Sequence, residues 1–214
     1  MIIEEKKLIF VHIPKCAGTS IENLLIKRFN LKNHKQFKKY IFTKRLGFKF
    51  NLRHLTLEEI EKEYSIKNFD QYTVFTIVRN PYDRFISFTN WAKVPNWRYL
   101  PGISFSPELW MKIFKIKYPW QYSLILNFLY SHTKTQLSFL KSENFSKYKE
   151  IKIVKLDKIN ELSEFLKAFD IDLSELSKDN ISKKKVLSSS TKEKIKTFVE
   201  SQYSEDFKRF NFDL

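Results

Sequence analysis

Hydrophobic positions in this chain follow two different periods. Leu8-Ile-Phe-Val-His-Ile13 is an almost unbroken apolar run rich in β-branched and aromatic side chains, the pattern of a strand buried on both faces. Pro14 ends it. Ile21, Leu24, Leu25 and Phe29 then recur at helical spacing, with Thr19 or Ser20 as the cap. Thr73–Val78 reads as a second buried strand, broken by Asn80-Pro81, and Phe85, Ile86 and Phe88 mark the helix that follows. Residues 151–156 form the third predicted strand. Further helices are predicted over Leu57–Tyr64, 107–117, 119–141, 159–169 and 191–203, with Pro107 and Pro119 at starting positions. Strands that alternate with helices predict an α/β fold, a three-layer sandwich around a central parallel sheet. No repeat or Ser/Gly linker divides the chain, so residues 1–214 read as one domain. Residues 30–56 are the least regular stretch and read as an insertion or an acceptor-side segment over the active site.

Composition narrows the function classes. The chain has 214 residues, enough for one good core and short for two. With 43% hydrophobic and 29% charged residues it is globular and not a disordered polyelectrolyte. Cys16 is the single cysteine, so no intramolecular disulfide can form and a reducing compartment fits. One Cys and four scattered His do not suggest a structural zinc site, and no metal is expected. The acidic Met1-Ile-Ile-Glu-Glu start does not resemble a signal peptide, and no run of about 18 apolar residues suggests a membrane span. The expectation is a soluble cytoplasmic enzyme of bacterial type.

The net charge of +15 is unevenly spread: Lys27 to Arg53 holds ten Lys or Arg and no acid. A field of one sign favours an anionic partner, while a solvated basic surface accounts for it equally well. Aromatic residues interleave with these cations (Phe29, Phe37, Tyr40, Phe42, Phe48, Phe50), so a non-enzymatic protein that binds polyanions or nucleic acid is one alternative function.

Pro14-Lys-Cys-Ala-Gly-Thr-Ser20 lies between a buried strand and a helix, where unpaired helical N–H groups and the helix dipole favour an anion. Gly18 permits a close backbone approach or a positive φ. Lys15 adds a full charge, and Thr19 and Ser20 add hydroxyls. The Lys precedes the Gly and the first Gly of a Walker A loop is missing, which disfavours the second alternative, a P-loop kinase or NTPase. Arg79 stands at the carboxyl end of the second strand, where α/β sheets bind ligands, and its guanidinium suits a phosphate monoester. Ser87, eight residues on, can return to the same anion. A clamp between Arg79 and Asp83 is the bland reading, and Asp83 and Arg84 read as local helix ion pairs.

Two stretches carry a family resemblance. His12-Ile-Pro-Lys-Cys-Ala-Gly-Thr-Ser-Ile-Glu22 resembles the 5′-phosphosulfate loop of the carbohydrate sulfotransferase family, H-x-P-K-[TC]-[GA]-G-T-S. Phe75-Thr-Ile-Val-Arg-Asn-Pro-Tyr-Asp-Arg-Phe-Ile-Ser87 is similar to its 3′-phosphate element, V-R-[ND]-P-x-[DE]-R-x-x-S. Weaker similarity runs through Arg53-His-Leu-Thr56, Gln136-Leu-Ser-Phe-Leu140, Asn180-Ile-Ser182 and Tyr203-Ser-Glu-Asp-Phe207. The resemblance implies a P-loop-NTPase-like sulfotransferase architecture and transfer of a sulfuryl group from 3′-phosphoadenosine-5′-phosphosulfate (PAPS) to a carbohydrate hydroxyl, releasing 3′-phosphoadenosine-5′-phosphate (PAP). It implies donor contacts from Lys15, Cys16, Ala17, Gly18, Thr19, Ser20, Arg79 and Ser87, with Lys15 neutralising the leaving phosphate. It also implies a C-terminal loop, here Lys183 to Lys185, that closes over the nucleotide.

A hydroxyl nucleophile gains from a general base. Of the four histidines, His12 orients the loop or fills the core, His34 lies in the basic stretch, and His132 reads as lining the acceptor side. His54 precedes a helix where the resemblance places an H-x-T element, and it is the expected base. Glu22 is the acidic candidate. If the basic stretch borders the acceptor cleft, the acceptor is anionic and Lys35, Lys38 and Lys39 steer it. No nucleic-acid partner is expected.

Overall fold

A computed structural model describes residues 1–31, 52–91, 106–115, 131–176 and 187–213, and the strand backbones at 41–43 and 47–49; side chains at 113–115 are excluded. His34, Lys35, Lys38, Lys39 and the 180–185 turn, Lys183 to Lys185 among them, lie outside the described residues.

Among the described residues the centre is a four-stranded sheet. β1 (Ile2–Ile3) runs antiparallel to β2 (Leu8–Val11), which pairs in parallel with β5 (Thr73–Val78), and β5 pairs in parallel with β6 (Glu150–Lys155). A separate hairpin, β3 (Ile41–Thr43) with β4 (Gly47–Lys49), falls within the irregular basic stretch. β2 and β5 are buried along their whole length, as continuous apolar runs in a covered parallel sheet must be. The Thr76 hydroxyl, fully buried in β5, is satisfied: Oγ1 donates to the Val11 carbonyl at 2.7 Å. β6 alternates Ile with Glu and Lys and is only partly buried, as an edge strand tolerates.

Helices flank this sheet: α1 (Gly18–Phe29), α2 (Leu57–Tyr64), α3 (Pro81–Trp91), α4 (Pro107–Lys115), α5 (Gln136–Leu140), α6 (Leu162–Lys167), α7 (Ser189–Gln202) and α8 (Ser204–Phe210). The sheet, α1 and α2 share the main core, while Phe85, Phe88, Trp110, Ile195, Phe198 and Tyr203 form a second cluster between α3, α4 and α7. Among the described residues no helix is long and apolar enough to cross a membrane.

One helix differs from its expectation and another matches it. The helix predicted over 119–141 is broken: helical backbone at 131–133 stops, and α5 restarts behind Thr135, whose side chain accepts from Ser138 N–H. A capping Thr and a buried partner from α8, described below, outweigh the helical pattern there. The helix predicted over 191–203 is present as α7 and ends at Tyr203, whose backbone leaves the helical region (φ −122°, ψ 27°); α8 then follows as a separate short helix.

Candidate active site

The loop between β2 and α1 carries its strain at non-glycine residues. Lys15 (φ 69°) and Ala17 (φ 60°) are left-handed, and Ala17, not Thr19 or Ser20, is the N-cap of α1. Such positions cost on the order of 1–3 kcal/mol each and cluster at ligand clamps. The first backbone bonds of the helix run from Ser20 and Ile21 N–H to the Ala17 carbonyl, so the Gly18 and Thr19 N–H groups precede the helical ladder. A left-handed Ala17 followed by helical Gly18 is the alternation that turns successive N–H groups toward one side, the backbone shape of a nest.

Gly18 serves a different purpose from the positive φ that glycine usually supplies. A Cβ there would lie 2.0 Å from His12 Cδ2 and 2.2 Å from its Nε2, so the helix start is pressed against the imidazole. The ring cannot move aside, because His12 is buried and its Nδ1 lies 2.8 Å from Glu22 Oε1. Gly18→Ala is therefore expected to destabilise the fold by about 1–3 kcal/mol, the usual scale of overpacking, read as a lower denaturant midpoint. A His12→Ala background should remove most of that loss.

Lys15 and Arg79 converge on this loop. Arg79 follows the last residue of β5, is half-buried, and its Nη1 approaches the Lys15 carbonyl at 3.4 Å. The Lys15 ammonium sits 5.0 Å over the Trp91 ring. Burial, then the nearby Arg79 charge, lower the Lys15 pKa to about 8. Among the described residues neither cation has a carboxylate partner, and the clamp between Arg79 and Asp83 does not form. Two like charges drawn together without an acid leave a deficit that a dianion would fill. Ser87 is half-buried on α3, one turn before Trp91, so helical spacing puts it on the face that meets Lys15.

The network beneath the loop came from residues to which sequence reasoning gave other roles or none. Arg84 is buried and makes no local ion pair. Its Nε donates to the Pro14 carbonyl (3.1 Å), Nη1 to the Lys134 carbonyl (2.8 Å) and Nη2 to the His132 carbonyl (3.3 Å), tying the loop between β2 and α1 to 132–134. Gln136 brackets the Arg79 backbone: Arg79 N–H donates to Oε1 and Nε2 donates to the Arg79 carbonyl, both at 2.8 Å. Asp206 of α8 accepts from the Gln136 and Leu137 N–H groups at 2.8 and 2.9 Å. The one available signal lay in the weak similarity of the 136–140 and 203–207 stretches. Cys16 lies in the same network, donating to Gln136 Oε1 at 3.3 Å, and burial raises its pKa to about 11. It is a small packed thiol; the helix N-terminus does not turn it into a thiolate nucleophile.

Three imidazoles meet opposite Lys15. His54 contacts His12 edge to face (centroids 4.4 Å) and His132 in the same way (5.1 Å), and His132 stacks on Trp91 at 4.7 Å and 7°. A chain of ring contacts thus runs from Lys15 through Trp91 and His132 to His54. His54 Nδ1 faces the His12 carbonyl at 3.3 Å. A carbonyl only accepts, so Nδ1 carries the proton and Nε2 keeps its lone pair. Burial, then the neighbouring His12, His132 and Arg53, hold the His54 pKa well below its ordinary 6.5, so the ring is neutral at pH 7. Glu22 cannot compete as a base. It is buried, it accepts from Arg53 Nε at 2.7 Å as well as from Arg53 Nη2, and His12 and Arg53 hold its pKa near 2 against the opposing effect of burial.

A model of the sulfotransferase family matches residues 1–213 of the chain. No curated protein and no solved structure matches it.

Proposed function

From the chain's membership of the sulfotransferase family, we propose that it transfers the sulfuryl group of PAPS to a carbohydrate hydroxyl. The observation that carries the donor assignment is the pair Lys15 and Arg79, brought to one strained loop with no acidic partner among the described residues. Lys15 and the N–H groups at the start of α1 would hold the 5′-phosphosulfate, and Lys15 would neutralise the charge that grows on the leaving phosphate oxygen. Cys16, Ala17, Thr19 and Ser20 complete that loop. Arg79 and Ser87 would take the 3′-phosphate. His54, neutral and with Nε2 free to accept, would remove the acceptor proton. The carbohydrate class of acceptor rests on the resemblance of the two motifs.

Incubation with PAPS and a panel of polysaccharides, followed by PAP release, tests this reaction. Release should require both donor and acceptor and should survive EDTA, since Lys15 and oriented amides can supply the positive charge at the leaving group. Strict dependence on Mg²⁺, with ATP as the better donor, would favour phosphoryl transfer instead.

A pH dependence follows from Lys15. Its pKa of about 8 in the free protein means that the ammonium is lost as pH rises through that value. A bound dianion favours the charged form and moves the pKa back up. PAP affinity should therefore be flat between about pH 7 and 8, where the phosphate monoesters stay dianionic, and weaken above it, by up to about tenfold per pH unit until the pKa of the complex is reached. Lys15→Arg, charged throughout, should bind PAP with little pH dependence between 7 and 10 in calorimetric titrations.

A further inference from the structure

Glu22 lies on α1, one turn into the helix, and its carboxylate is almost wholly removed from solvent. One oxygen meets His12 Nδ1 and the other takes both Nε and Nη2 of Arg53. Arg53 is the residue immediately before His54, and Thr56 then starts α2 with a reciprocal cap: Thr56 N–H to Glu59 Oε2 at 2.9 Å and Glu59 N–H to Thr56 Oγ1 at 3.2 Å. The turn that leads into α2 is thus fixed on both sides of His54. We propose that Glu22 and Arg53 form a strut that positions the His54 imidazole against the donor loop, making both of them positioning residues that touch neither substrate. The role rests on the assignment of His54 as base.

The geometry supports this in three ways. The fork on Glu22 is two-pronged, so it sets the direction of the Arg53 side chain as well as its distance. The same carboxylate orients His12, whose carbonyl faces His54 Nδ1 and whose ring is the wall that Gly18 presses on. One buried anion therefore ties the base segment and the donor loop into a single frame. It also engages one cation of the basic stretch, so Arg53 is directed inward to Glu22.

Long-range ¹H–¹⁵N correlation of the imidazoles in the full chain tests the strut. His54 faces His12, His132 and Arg53, with Glu22 behind Arg53, and these are the charges that set its titration. The wild type should show His54 as the Nδ1–H tautomer, neutral through pH 6.5. Arg53→Lys keeps the charge but loses the fork. The strut account expects the His54 tautomer signature to be lost and its midpoint to rise toward 6.5 as the ring reaches water, and a purely electrostatic role for Arg53 expects no change. Glu22→Ala separates the two further: removing a negative charge alone lowers the midpoint, whereas releasing the ring raises it. PAP affinity of Arg53→Lys should stay within about threefold of wild type, while kcat falls about tenfold at an unchanged KM for PAPS. An unaltered His54 signature in Arg53→Lys, a lowered midpoint in Glu22→Ala, or an unchanged kcat would each overturn the proposal. Failure of the base assignment is distinguishable, because His54→Ala would then keep full turnover whatever the strut variants do.

Discussion

Replacing His54 with alanine should lower sulfuryl transfer by roughly 10²-fold or more and leave PAP affinity within about threefold. The expectation follows from the position of the ring. His54 meets His12 and His132, while the cations proposed to hold the nucleotide are Lys15 and Arg79. A group that acts on the acceptor alone shows itself in kcat and not in donor binding. The pH profile adds a second check. A base works when deprotonated, and the surroundings of His54 hold its pKa well below 6.5. The acid limb of kcat/KM should therefore lie below 6.5, with no fall in rate between pH 8 and 6.5 from this group. Near-full turnover in His54→Ala would place the base elsewhere. His132, buried in contact with both His54 and Trp91, would be the next residue to replace. Glu22 would not, since His12 and Arg53 hold its pKa near 2 and leave it a poor proton acceptor at neutral pH.

Arg79→Ala should weaken PAP binding about 10- to 100-fold, the equivalent of one charge-assisted phosphate contact of about 1.5–3 kcal/mol. AMP, which lacks the 3′-phosphate, should bind wild type and variant almost equally. The Arg79 backbone is held by Gln136 through main-chain atoms, and alanine preserves both of those bonds. The loss can then be read as a missing guanidinium and not as a displaced strand end. Arg79→Lys should recover only part of the affinity, because an ammonium cannot reproduce the planar fork.

The parts of this fold legible in the sequence were those written in side-chain type. Continuous apolar runs announced β2 and β5 because a strand covered on both faces has no polar side to show. The loop between β2 and α1 was legible as a strand–loop–helix because a strand, a proline, a glycine and a helical period follow one another within thirty residues. What escaped was written in backbone conformation or in contacts between distant segments. The strain at Lys15 and Ala17 has no residue-type signature, since neither is a glycine. Arg84 appeared to be a local ion-pair former, yet its partners are three main-chain carbonyls, and any residue type has one. The break before α5 depends on Asp206, about seventy positions away, which takes the first N–H groups of that helix. Glu22 looked like a base because it is near the loop in sequence; only the fold shows it enclosed between His12 and Arg53.

The donor assignment is tested most directly by calorimetric titration of the wild-type chain with PAP, AMP and ATP, without divalent metal. Lys15 and Arg79, two cations without an acidic partner among the described residues, predict that PAP binds about 10- to 100-fold more tightly than AMP, and more tightly than ATP. Equal affinity for PAP and AMP would contradict it.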